Sequence, residues 1–299
     1  MTDIDSLWVR MIGMTPENRQ AVQAMTGADI STVPDMESDG NWLYLPLQVM
    51  VRSPEGIARR SSLFIMMGDR QLITLQDQEN FPPFAAALRY IRRHPEALDN
   101  PRTLLCLVLQ VLNEQAGRVI ASIGTALEET SDAITAITGS LNTKREVGVG
   151  DISDTMVDLN TREELISRCL ESQLSLARAA RYLDIEIAES ETDLQAQVRN
   201  LRADINGVKE HAAFEHDKVR YLQNAVLASL NIKQNQIVKI FTIITAVFLP
   251  PTLIASLYGM NFAVMPEFSW RHGFPAVILL TLLTSLLPLV YIRYRGWLR

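Results

Sequence analysis

The chain has 299 residues, 47% of them hydrophobic and 21% charged, with a formal net charge of −6. Residues 1–232 hold 22 of the 28 Lys and Arg and 33 of the 34 acids, for a net −11, whereas residues 233–299 hold six basic residues and one acid, Glu267, for a net +5. An acidic N-terminal part excludes nucleic acid as a natural partner, because that binding rests on basic neutralisation of phosphates. It suits an ordinary solvated surface or the attraction of cations.

Residues 1–95 read as mixed α/β. Met1 to Asp5 lacks the basic start and apolar run of a signal peptide, so this part is expected in the cytoplasm. Leu7 to Ile12 is a short apolar strand. Thr15-Pro16-Glu17 opens a helix, with Thr15 as cap and Pro16 in the first turn. Trp42 to Val51 alternates apolar and polar positions, as a half-buried strand does. Leu63 to Met67 and Leu72 to Leu75, separated by Gly68 to Gln71, predict a hairpin. Phe84 to Arg93 predicts a short helix stopped by Pro95.

Beyond Pro101 the pattern turns helical. Thr103 to Ile137 and Arg162 to Ser190 have helical periodicity and few breakers. Between them, Gly139 to Thr161 contains three glycines and reads as a loop. Thr161-Arg162-Glu163-Glu164 reads as a capping box opening the second helix. A third helix is expected from about Asp193, through Gly207, into the apolar segment ahead, since no proline appears before Pro250. The two cysteines, Cys106 and Cys169, show no CxxC spacing, so a disulfide framework or cysteine zinc site is not expected. Both are expected in the core.

Ile240 to Leu257 and Phe274 to Ile292 carry no charge and read as the only two segments apolar enough to cross a bilayer. Each matches the roughly 20 residues that span a hydrocarbon core of about 30 Å. Lys233 and Lys239 precede the first, and Arg293, Arg295 and Arg299 follow the second. The connecting loop holds only Arg271 and His272 as cations. The positive-inside rule therefore puts both chain ends in the cytoplasm and the loop outside.

Two spans cannot enclose an aqueous path alone, because lipid-facing backbone must be satisfied internally; a pore requires several copies. Asn235, Val238, Thr242, Thr245, Leu249, Thr252, Ser256 and Gly259 recur at alternating spacings of three and four, the seam of a helix facing its symmetry mates. Every Thr and Ser of the first span falls on this seam. Such residues also serve as glue between membrane helices, but the whole stripe, ending at a polar turn, reads as a pore lining. Pro250-Pro251 removes two backbone donors and frees the carbonyls of Ala246 and Val247. The resulting kink either offers oxygens to the path or is a bend packed on a neighbouring helix.

Between the spans stands Tyr258-Gly259-Met260-Asn261-Phe262, followed by Met265-Pro266-Glu267. With Asn235-Gln236, Lys239-Ile240-Phe241, Phe248-Leu249-Pro250-Pro251-Thr252, Trp270, Gly273 to Pro275 and Trp297-Leu298, this resembles the CorA family of magnesium transport proteins, whose signature is Gly-Met-Asn between two C-terminal membrane helices. The resemblance is sharp over about the last 70 residues and architectural over the rest. It implies an α/β cytoplasmic domain over residues 1–100 and a long-helix stalk over 101–236 that lines a funnel. It implies a two-helix pore module over 237–299, with an outer loop over 259–273. It further implies a homo-oligomer, a pentamer, in the cell (inner) membrane, with Gly259, Met260 and Asn261 as entrance filter.

Magnesium suits such a lining. Mg²⁺ surrenders its water reluctantly and keeps several waters on a protein, so a path for it touches the hydrated ion through neutral hydroxyls, amides and carbonyls. Asn261 supplies a carboxamide oxygen, and Gly259 lets carbonyls approach closely. Leu249 and Val238 form the narrow apolar rings; Tyr258 and Met260 hold the turn. A divalent ion gains roughly 4.6 kcal/mol per 100 mV of membrane potential. There is no Walker A pattern, so passive, potential-driven entry of Mg²⁺ is expected, with Co²⁺ and Ni²⁺ as passengers of similar size. No cofactor or enzyme activity is expected, since no nucleophile–base pair or catalytic metal motif appears.

CorA-like loops commonly carry an acid two residues after the Asn, where this chain has Ala263; Glu267 remains the loop acid. The related ZntB branch, associated with zinc, has Gly-Ile-Asn where this chain keeps Met260. A zinc-type transporter, with or without proton coupling, is the alternative within the fold, and a membrane-tethered scaffold or sensor the alternative from another class. His211 and His216, about 140° apart on a helix, are poor partners on one metal. The acids Asp184, Glu186, Glu189, Glu191 and Asp193 read as a solvated helix end, although family logic allows a cation there.

Overall fold

The computed structural model describes residues 4–27, 29, 35–53, 56–140, 149–188, 190–260, 265 and 269–295. Contacts divide the chain into two units, Met1–Val226 and Leu227–Arg299.

The first unit begins with α1 (Ile4–Leu7), β1 (Trp8–Ile12) and α2 (Pro16–Thr26). Thr15 caps α2 through its hydroxyl, which accepts from the Asn18 N–H at 3.2 Å. Pro16 fits the first turn because its missing N–H would have been unpaired there. Next come β2 (Glu37–Ser38), β3 (Trp42–Arg52), β4 (Ala58–Gly68) and β5 (Leu72–Gln76). The sheet order is β1-β5-β4-β3-β2. β1 runs parallel to β5, pairing Trp8 with Leu72. The expected β4–β5 hairpin is present, with Leu63 opposite Gln76 and Met67 opposite Leu72.

β3 departs from the half-buried alternation read from its sequence: it is buried on both faces over most of its length. Leu43, Leu45, Leu47, Val49 and Val51 enter the main core, while Tyr44 enters a second cluster with Phe64, Met66, Ile73 and Val22 of α2. The sheet is sandwiched because α2 covers one face and the long helices the other. Trp8 is fully buried, and its indole N–H donates to Thr74 Oγ1 at 3.0 Å. Phe84 meets Trp8 edge-on, with centroids 4.9 Å apart.

α3 (Pro82–Ile91) and a single 3₁₀ turn (Pro95–Leu98) lead into α4 (Pro101–Ser140), α5 (Val149–Glu186) and α6 (Thr192–Tyr258). The expected loop over Gly139 to Thr161 is overturned at both ends, where α4 runs to Ser140 and α5 starts at Val149, while residues 141–148 lie outside the described residues. The capping box fails with it. Thr161 lies inside α5 and its hydroxyl donates to the Val157 carbonyl at 2.9 Å, while Glu163 bonds Gln223 at 2.7 Å. Ile152, Leu159 and Ile166, spaced by seven, are all buried, and that tertiary contact overrides the polar, glycine-bearing local sequence. α6 continues through Gly207 into the apolar segment, as its sequence predicted, and runs on through Pro250 and Pro251 to Tyr258.

One core joins Leu43, Ile65 and Leu72 of the sheet to Leu105 and Leu109 of α4, Leu176 and Leu183 of α5, and Val198 and Leu201 of α6. Burying each large side chain contributes about 1.5–3 kcal/mol. Cys106 and Cys169 are free and buried.

Three described helices, rather than two, are long and apolar enough to cross a membrane. The addition is Pro101–Thr135 of α4, but 72% of its apolar window is buried inside the protein, against 0% for α6 and 6% for α7 (Gly273–Tyr294). A helix apolar on most sides satisfies that composition equally well inside a large core.

Candidate functional site

Asn235, Val238, Thr242, Thr245, Leu249, Thr252 and Ser256 all lie on α6, and Gly259 and Met260 follow its last turn. All nine are exposed. The half-buried positions of this segment follow another line, through Ile243, Ala246, Val247, Pro250, Ile254 and Tyr258. At 3.6 residues per turn the two lines are about 140° apart. The seam is therefore left open on one chain, while the face with the proline pair is partly covered.

The threonines of the seam share one local bond. The hydroxyls of Thr242, Thr245 and Thr252 donate to the carbonyls of Val238, Phe241 and Phe248 at 2.8, 2.8 and 2.6 Å. A hydroxyl has one donor and two acceptor lone pairs. With the proton held by the helix, each oxygen presents acceptor character outward. At these three positions the stripe thus offers lone pairs, the polarity that a cation or its water shell requires.

Gly259 closes α6, its N–H donating to the Ala255 carbonyl at 2.9 Å. A Cβ added there would stand 3.1 Å from that same oxygen, so glycine permits the close approach. Asn261, Ala263 and Glu267 lie outside the described residues, as do Trp297 and Leu298.

The profile of the family described as CorA-like Mg²⁺ transporter protein matches residues 7–294. The chain belongs to the CorA family. The magnesium transport protein CorA of Salmonella typhimurium is 29% identical over 304 residues, covering 99% of this chain and 93% of that protein. That of Escherichia coli is 28% identical with the same coverage. The structure of the CorA magnesium transporter from Methanocaldococcus jannaschii superposes with a TM-score of 0.76 at 19% identity, covering 98% of this chain and 92% of that one. The CorA fold of this chain accordingly comprises an N-terminal α/β unit, a long helix and C-terminal apolar helices.

Other polar groups of this CorA-family chain have local partners. Asp184 pairs with Arg202 at 2.8 Å, Glu186 accepts from Ser38 at 2.9 Å, and Glu191 accepts from Asn100 at 2.8 Å. These three acids are half-buried at the helix end and tied to neighbours, Asp193 is exposed, and Glu189 lies outside the described residues. His211 pairs with Glu215 and His216 with Glu163, each at 3.5 Å, so the two histidines do not converge. Among the described residues no group of three His, Cys, Asp or Glu is placed to hold a metal ion.

The expected seam begins at Asn235, but its period continues further towards the N-terminus. The seven-residue spacing counted back from that position falls on Ala228, Tyr221 and Phe214. Tyr221 is 70% and Phe214 65% exposed, unusual for aromatics on a helix that buries its other face. The signal is the strict seven-residue period, masked in the sequence because Glu215 follows Phe214 and Arg220 precedes Tyr221.

Proposed function

We propose that this chain assembles as a homo-oligomer, a pentamer by family resemblance, and admits hydrated Mg²⁺ through an axial path lined by the seam of α6. It sits in the cell (inner) membrane with both termini in the cytoplasm. Gly259, Met260 and Asn261 form the entrance filter, Glu267 is the acid of the outer loop, and Leu249 and Val238 are the apolar constrictions. Ions move down the membrane potential without a nucleotide. Co²⁺ and Ni²⁺ pass by the same contacts.

The observation that carries this reading is the common bonding of Thr242, Thr245 and Thr252, whose protons are held by their own helix. Symmetry would turn each into a ring of oxygen acceptors. Such rings hold a hydrated ion weakly enough to release it, and Mg²⁺ keeps the water that a dehydrating site would have to strip. A tethered scaffold would have no use for acceptors repeated along one helix face.

The test is Mg²⁺ uptake into liposomes holding the purified full chain, beside the Asn261→Ala variant. Flux in the parent and a large loss in the variant are expected. Equal flux in both rejects the filter assignment, and no flux in either, with folded protein, rejects conduction. Competition by Zn²⁺, with and without a pH gradient, distinguishes a zinc-type transporter.

A further inference from the structure

Between α5 and α6 of the first unit lies a cleft of ≈ 530 Å³. Arg178 and Arg181 project from α5, and Arg199, Arg202 and Lys209 from α6. No carboxylate lines it, although acids outnumber bases 33 to 22 over residues 1–232. Among the described residues, only Arg202 of these five has a carboxylate partner, Asp184 at 2.8 Å. The Arg181 guanidinium lies over the Tyr182 ring, 5.9 Å from its centroid. Its apolar lining is exposed Leu174 and Ala203, half-buried Ala177 and buried Ile205, with Asn206 beside them.

Like charges gathered on adjoining helix faces repel one another, and among the described residues four of these five have no carboxylate partner. Arginine forks match phosphate oxygens bidentately, and lysine adds a point charge. The volume falls within the range of about 300–1,000 Å³ typical of ligand sites, which combine apolar lining with a few polar groups. We propose that this cleft binds a polyphosphate anion of the nucleoside triphosphate class. The phosphate chain lies along Arg178, Arg199, Arg202 and Lys209, and the base rests on Leu174 and its alanine neighbours. A single phosphate reaches only part of this cation set and binds more weakly. The site is independent of the transport reading, since none of its residues belongs to the seam.

The test is titration calorimetry on the full chain in detergent, in magnesium-free buffer, with ATP, tripolyphosphate and inorganic phosphate as probes. ATP and tripolyphosphate are expected to bind at least tenfold more tightly than inorganic phosphate. The double variant Arg178→Gln, Arg199→Gln is expected to lose at least tenfold in affinity at an unchanged unfolding temperature. ATP binding more tightly than tripolyphosphate supports recognition of the base as well, while equal affinities support recognition through the phosphates. Absence of polyphosphate binding overturns the proposal, as does binding indifferent to the double substitution. If binding is absent and the double variant runs as a smaller assembly, the cleft instead receives an acidic face of a second copy.

Discussion

Gly124 of α4 and Glu215 of α6 approach so closely that a Cβ on residue 124 would stand 2.9 Å from Glu215 Oε1. The Glu215 side chain is 5% exposed, with His211 at 3.5 Å and Lys218 at 3.8 Å. The glycine makes room for a buried carboxylate that would otherwise be displaced from His211 and Lys218. Gly124→Ala is expected to destabilise the first unit by about 1–2 kcal/mol, overpacking being partly offset by better helix propensity. In a Glu215→Ala background the same change is expected to be neutral or stabilising by up to about 1 kcal/mol, because the obstructing atom is gone. Thermal unfolding of the four proteins measures this coupling; additive effects would refute the steric account.

The indole N–H of Trp8 has Thr74 Oγ1 as its partner in a fully buried setting. Thr74→Val preserves shape but leaves that donor unpaired, at an expected cost of about 1–3 kcal/mol. Thr74→Ser restores the acceptor and should recover part of the loss. Denaturant unfolding checks the order parent, then Ser, then Val.

Thr252 offers the proposed path an oxygen whose proton is held by the Phe248 carbonyl at 2.6 Å. Thr252→Val removes one acceptor from every subunit at nearly constant volume. A loss of about 1.4 kcal/mol in stabilising the passing ion would slow flux about tenfold. Thr252→Ser should conduct close to the parent rate. Liposome flux with both variants is the measurement, and a fully active valine variant would contradict the acceptor-ring reading.

Burial pushes the thiol of Cys106 up to about 11 and that of Cys169 up to about 12. Both are above the ordinary thiol value of about 8.5, so at pH 8 the folded protein presents almost no thiolate. Alkylating reagents should label neither residue until the chain is unfolded, as mass spectrometry can follow. A raised thiol value contributes stability that is fully present below the unfolded value. It is lost as pH climbs from about 9 through about 11 and 12. Replacing both cysteines by alanine should flatten that alkaline part of the stability profile, at the cost of small cavities.

The α2 cap, the β4–β5 hairpin and the unbroken α6 were legible because each rests on local chemistry: a hydroxyl before a proline, a polar turn between apolar runs, a long absence of breakers. The start of α5 was not. Residues 149–161 look like a loop locally, and only the contact made by Ile152 and Leu159 with the rest of the first unit holds them helical. The seam of α6 was legible as a period, yet a period cannot say which face neighbouring elements cover. The half-buried line through Ile243, Ala246 and Ile254 supplies that.

By itself, the sequence determined the family resemblance, the apolar character of the last two helices and the polar stripe along one of them, since composition and spacing are written directly in the chain. Tertiary structure alone decided that the apolar α4 is a core helix, that β3 is covered on both sides, and that five cations from two helices share one cleft. Those outcomes depend on which surfaces meet. Residues such as Arg178 and Arg199 become neighbours only when α5 folds back along α6.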